Sequence, residues 1–261
     1  MTLGCANLTA IGDFAATSSE AAGYSRLVDQ YVAWPEGEKR FEPESHWSQL
    51  DDLTAARKTQ RKELLLYHTA IDDYMDALGR LAADALVSYD DEIDGLAKAV
   101  RSTPLGTRDR SEVAAAASIS KLLAKAVTDA WRQRELADLI EEANAPLQVV
   151  IAALKTEVDQ GFAGDLDIEQ TAIDLHYKRL ERESHDPAGR AAALEWERAH
   201  RLDVDDRRRA IKAQSAILAK IARAHQVLYD QRDQLDDKEL LREIEDYARQ
   251  LRKLQTQLKA A

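Results

Sequence analysis

A glutamate and a histidine three residues apart on one helix are the ligand pattern of di-iron bundles, and the chain contains it once, at Glu197-Arg198-Ala199-His200. Such a site takes two of these motifs plus a further glutamate from each of two facing helices. No second Glu-x-x-His accompanies this one, which lies beside an arginine-rich stretch and off any apolar stripe. Glu181 with His185, and Asp72 with Asp76, are four apart and read as solvated pairs on one helix face. The six histidines (46, 68, 176, 185, 200 and 225) are scattered. His225 alone falls on a core stripe, which predicts a buried, hydrogen-bonded ring. Tyr67 and Tyr74 occupy seam positions of one helix and read as packing groups with a peripheral hydroxyl. No glycine-rich phosphate loop and no Gly-x-Ser-x-Gly elbow occurs. The single cysteine, Cys5, is too near the start to pair with a histidine as a nucleophile. Asp165-Leu166-Asp167 and Asp203-Val204-Asp205-Asp206 lack the glycine and distal glutamate of a calcium loop and read as helix caps. The expectation is a protein with no catalytic residues, no metal and no cofactor.

Charge narrows the partners. Lys plus Arg number 36 and Asp plus Glu 47, a net charge of −11. An acidic chain is poorly suited to a phosphate backbone and to anionic lipid, so no nucleic-acid partner is expected. The locally basic stretch from Arg198 to Lys212 reads as a solvated helix face.

The residues that would carry function must sit on long helices. Gly and Pro are only 10 and 5 of 261 residues, too few for a turn-rich β protein, while 32% of the chain is charged and 6% aromatic. The segment from Asn7 to Trp34 reads as a helix with a soft middle. Pro35, Gly37 and Pro43 then break the chain in an acidic loop. A long helix follows from Ser48 toward Leu86, with Gln60, Leu64, Tyr67, Ile71, Tyr74, Leu78 and Leu81 in alternating steps of four and three, a heptad seam. Asp109 and Glu112 open the next helix, which runs toward Gln160 with Pro146 inside it. Gly161 and Gly164 read as its end, with Asp165 or Asp167 capping the next. Asp186 and Pro187 start a helix reaching Asp230, and Asp236 with Glu239 caps a last one with a clean heptad from Leu240 to Leu258. The fold class predicted is all-α, an elongated antiparallel bundle with long coiled-coil-like helices. The predicted division is an N-terminal helix and Pro-bearing acidic loop over 1–45 and a bundle over 46–261, together one domain. The last heptad leaves a homodimer open.

Leu3-Gly4-Cys5, followed by Ala6 and Asn7, resembles the end of a bacterial lipobox, with Thr2 where that family prefers Leu. The resemblance covers the first few residues only. It implies that Cys5 becomes the lipidated first residue of a mature lipoprotein, that the native start lies upstream of Met1, and that the protein is held at a periplasmic membrane surface by its lipid. No stretch has eighteen uncharged apolar residues, so the lipid would be the only membrane contact.

The function expected is therefore a non-enzymatic, lipid-anchored scaffold of the envelope that binds a protein partner. Trp34, Phe41 and Trp47 flank the Pro-bearing loop and are the candidate partner anchors. The alternatives are a cytosolic coiled-coil assembly factor, with Met1 a true start, and a pore-forming bundle hiding an apolar segment at 113–127 or 143–154.

Overall fold

The computed structural model describes residues 8–21, 25–87 and 110–260, and every regular element among them is helical. In chain order these are α1 (Thr9–Ala21), α2 (Ser25–Glu38), α3 (Trp47–Ala82), α4 (Arg110–Thr128), α5 (Leu136–Thr156), α6 (Ala163–Glu183), α7 (Pro187–Asp230) and α8 (Lys238–Ala260). The protein is thus all-α. One apolar core runs from Leu8 to Leu251, so the described parts of 1–45 and of 46–261 share a single interior.

Heptad spacing explains who packs on whom. On α3 the stripe Leu64, Tyr67, Ile71, Tyr74, Leu78 and Leu81 is buried against α1, α4 and α5. Small residues bring α1 close: a Cβ placed on Gly79 would stand 3.4 Å from Cβ of Ala15, an ordinary contact that a larger Ala15 would not permit. The α8 heptad is spent inside the chain, with Leu240, Ile244, Ala248 and Leu251 buried against α7 and α1. At its far end Gln255 donates to the carbonyl of Glu20 in the last turn of α1 (3.2 Å).

Helix ends follow cap chemistry. Asp186 accepts from the amide of Gly189 (2.8 Å) with Pro187 in the first turn, as the sequence predicts. For α8 the cap is Asp237, not Asp236: its carboxylate takes the amides of Glu239 (2.8 Å) and Leu240 (3.0 Å). The helix expected to run unbroken to Gln160 stops at Thr128. There Trp131 N–H bonds the Ala126 carbonyl (2.9 Å) and Ala130 N–H the Val127 carbonyl (3.1 Å), a Schellman motif with Ala130 at φ 53°. Glycine normally fills that left-handed position, and alanine in it conceals the break from a sequence reader. Ala130→Gly relieves the strain at some entropic cost and is expected to raise stability by about 0.5–1 kcal/mol, read as the shift in urea midpoint. The predicted Asp109 cap lies outside the described residues.

Two further expectations are corrected. Helix α2 runs through Pro35 to Glu38 rather than breaking at the proline. Gly161 and Gly164 do not end a helix either. A π-helical turn over Glu157–Phe162 joins α5 to α6, so helix continues from 136 to 183. Gly161 is where the Glu157 side chain folds back, in space a Cβ would fill. The chain then reverses through Ser184-His185-Asp186. Helices α6 and α7 form an antiparallel hairpin, fixed by Tyr177 against His200, Asp174 against Arg201, Glu169 against Arg207 and Asp167 against Arg208.

Candidate functional site

The π turn is a local clue to function, because such turns concentrate at functional sites. Beside it α2, α3, α6 and α7 bring together a buried cluster of charge. Pro35 sets it up. Lacking an N–H, it leaves the carbonyl of Tyr31, four residues earlier, without its helical donor. The guanidinium of Arg57 on α3 takes that carbonyl at 2.9 Å. Its other arm donates to Asp165 Oδ1 at 2.6 Å. The same guanidinium lies 4.1 Å from the ring centre of Tyr31 and 4.9 Å from that of Trp34, a cation held by two aromatic rings. Phe162 of the π turn stacks on the outer side of the cage, 4.7 Å from Tyr31.

Glu169, one turn along α6 from Asp165, accepts from Trp34 Nε1 (3.1 Å) and from both arms of Arg207 (2.8 and 2.6 Å). A bidentate, partly buried pair of this kind is both strong and directional. Burial raises the pKa of Asp165 above the usual carboxylate range, with Arg57 pulling the other way. Glu38 closes the cluster. It is 2% exposed, and neither of its oxygens has a hydrogen-bond partner. Burial first, then the negative charge of Glu169 and Glu42, pushes its pKa up to about 8. Glu38 therefore holds a proton at neutral pH, an unusual state for a carboxyl.

Toward the tip of the hairpin is an aromatic group. Phe41 meets the edges of His176 (5.7 Å) and His200 (5.2 Å), and Tyr177 bonds His200 at 3.1 Å. Burial lowers the pKa of His176, helped by Arg179 and His200. His225 lies elsewhere, fully buried in the core. Its partners can be assigned outward from a carboxylate. Asp230 can only accept, so Gln226 turns its amide nitrogen to it (2.8 Å) and its oxygen to Asn144. Asn144 then presents Oδ1 to His225 Nδ1–H (3.0 Å), and His225 Nε2 accepts from the Tyr74 hydroxyl (2.6 Å). Burial pushes the His225 pKa down to about 3, so the ring is neutral. This chain of bonds fixes how α3, α5 and α7 seat. Tyr74→Phe leaves His225 Nε2 buried without a donor and is expected to cost about 1–2 kcal/mol in denaturant unfolding.

The residues singled out by sequence are placed as follows. Cys5 lies outside the described residues. Trp34 and Phe41 face inward, into the charge cluster and the aromatic group; both are buried. Trp47 keeps 39% of its surface. His200 of the Glu-x-x-His motif packs on Tyr177, and no group of three or more metal-ligating side chains comes together among the described residues. The basic stretch is not simply solvated. Arg201, Arg207 and Arg208 pair with Asp174, Glu169 and Asp167 and fasten α7 to α6. Asp165, read as a cap, is instead the partner of Arg57.

Sequence reasoning missed the cluster because Arg57 and Asp165 are 108 residues apart. One signal was present. Val150, Leu154, Val158, Phe162 and Leu166 are all buried at steps of four. An α-helix drifts by ~40° at each such step. Holding one face for so long needs a wider turn, which is what the π segment supplies.

Compared with known proteins, the chain matches no family model, no curated protein and no solved structure.

Proposed function

We propose that the chain is a non-enzymatic, lipid-anchored protein of the bacterial envelope, a helical scaffold that offers its α6–α7 hairpin to a partner protein. One observation carries the partner half of this reading. Among the described residues, Ile168 and Leu175 on α6 and Leu194, Trp196 and Leu202 on α7 are large apolar side chains each more than half exposed. Trp47, Leu86 and Val149, elsewhere in the bundle, are less so. Apolar groups held outward on a rigid element mark protein interfaces, and tryptophan is among the residues enriched at their energetic centres. Of the three anchors expected from sequence, Trp47 alone retains substantial surface. The anchor half rests on Leu3-Gly4-Cys5. No helix among the described residues is long and apolar enough to cross a membrane.

Two measurements test the halves separately. A bacterium expressing the gene with its upstream reading frame is fed an alkynyl palmitate. Label that disappears in Cys5→Ala supports the anchor; no label transfers the scaffold to the cytosol. A photo-cross-linking residue at position 196, with position 249 as control, is then irradiated in cells. A discrete adduct at 196 alone supports the hairpin as the docking element, and an adduct of twice the chain mass identifies the partner as a second copy. Equal or absent cross-linking at both positions removes the hairpin from the reading.

A further inference from the structure

The cleft where α2, α6 and α7 meet is bordered by buried carboxyl oxygens that no donor reaches. Its deep end is a space of about 30 Å³ walled by the rings of Tyr31, Trp34 and Phe162 and closed by Gln30, Asp165 and Arg207. Leu27, Gln30 and Arg207 also line a wider space of about 170 Å³, where Ala210 and Leu258 give an apolar wall and Glu20 and Asp203 an acidic rim. Three carboxyl oxygens of the cluster are buried with no hydrogen-bond partner: Oδ2 of Asp165 and both oxygens of Glu38. Asp165 is 7% exposed and lines the deep end itself. On the donor side Nε of Arg57 is left over, while Nε of Arg207 faces Asp203 at 2.9 Å.

Arg57 and Arg207 balance Asp165 and Glu169, with Glu38 neutral, and Asp203 is two-thirds exposed at the rim. Arg26 and Lys259 also stand at the rim, but exposed, where solvent and salt screen them. A water molecule fits the deep end, yet it adds no charge and donates two hydrogens. An ammonium head of the same size donates three and sets its charge against the Asp165 carboxyl that lines the space. No cluster of metal ligands is present among the described residues, and the apolar wall of the wider space suits a hydrocarbon tail.

We propose that this cleft binds a small primary alkylammonium ion, its head at Asp165 among the three rings and its short tail along Leu27, Ala210 and Leu258. The site is separate from the hairpin surface and does not depend on the scaffold reading. Binding also acts on Glu38. The groups that face it are Glu42 from the loop after α2, Asp165 and Glu169 from α6 and Arg207 from α7, with Arg57 of α3 held behind Asp165. A cation among them favours the ionised carboxylate, so the Glu38 proton passes to solvent as the ammonium enters.

Calorimetric titration of the full chain with n-propylammonium chloride at pH 7, in two buffers of different ionisation heat, tests this. Saturable binding with proton release is expected, and none with n-propanol or tetramethylammonium. Asp165→Asn is expected to weaken binding at least about tenfold, the factor that ~1.4 kcal/mol represents. Because Asp165 also holds Arg57, a second variant leaves the ion pairs alone: Ala210→Ile fills the wide space, unfolds cooperatively like the parent, and loses binding. Equal heats from propylammonium and propanol, no saturation, or unchanged affinity in Ala210→Ile overturns the proposal.

Discussion

Replacing Glu38 with Gln raises the stability of the protein at pH 8 and leaves it nearly unchanged at pH 4.5. The carboxyl titrates at 4.5 when unperturbed and at about 8 in the folded protein, so the folded state holds the proton more tightly. The stabilising contribution of this group is fully present below pH 4.5. It is lost progressively as pH rises and is gone once pH passes 8, because only the unfolded chain ionises freely in between. At about 1.4 kcal/mol per pH unit the loss is on the order of 3–5 kcal/mol. Gln matches the neutral carboxyl in shape and cannot ionise, so it removes the slope without opening a cavity. Urea midpoints measured from pH 4.5 to 9 on both proteins supply the difference curve. It should open across that interval and then level off. Parallel curves would mean that Glu38 reaches solvent in the folded protein.

Arg57→Met is expected to destabilise the protein by about 3–5 kcal/mol at pH 7. The buried Asp165 carboxylate then has no counter-charge, the Tyr31 and Trp34 rings lose their cation, and the Tyr31 carbonyl stands unpaired behind Pro35. Two second-site changes distinguish these parts. Asp165→Leu combined with Arg57→Met removes the unpaired charge and should recover most of the loss, since a buried ion pair replaced whole by apolar groups is often neutral. Pro35→Ala restores an N–H for the Tyr31 carbonyl. It should help more in the Arg57→Met background than in the parent, where Arg57 already occupies that oxygen. Identical effects of Pro35→Ala in both backgrounds would show that the carbonyl is not part of the coupling.

These two residues also show what a sequence reader can and cannot see. The helices were legible wherever heptad steps ran long, as from Leu64 to Leu81 and from Leu240 to Leu251, because burial there is local and periodic. Asp186 and Pro187 were legible because a cap is a one-turn problem. Arg57 was not. It sits between Ala55, Ala56 and Lys58 on what reads as an outer face, and both its ring partners and its carboxylate come from other helices. Glu38 was hidden in the opposite way, within a run of acidic residues that reads as an exposed loop. Trp34 and Phe41 border the same run and look outward by association, yet their rings serve the interior. The break at Ala130 escaped because the residue in the left-handed position is not glycine. Gly161 and Gly164 misled because glycine usually ends helices, whereas here Gly161 makes room for the Glu157 side chain in a turn that is wound too wide.

The continuity of helix through that wide turn has a mechanical consequence. The hairpin is the distal part of a rod whose proximal part, α5, lies in the core against α3, α4 and α7. Beyond Phe162 the arm extends for 21 residues, roughly 30 Å of helix, with no loop at its root to swivel on. A sideways load at the tip is therefore carried inward as bending and torsion of two continuous helices, the α5–α6 rod and α7. The wide turn, where the regular ladder of hydrogen bonds is interrupted, is the most compliant point of that rod. Asp165, Glu169 and Phe162 brace it there. The clamp around Arg57 thus acts as a stiffener, and weakening it should soften the arm's response to force before it unfolds anything.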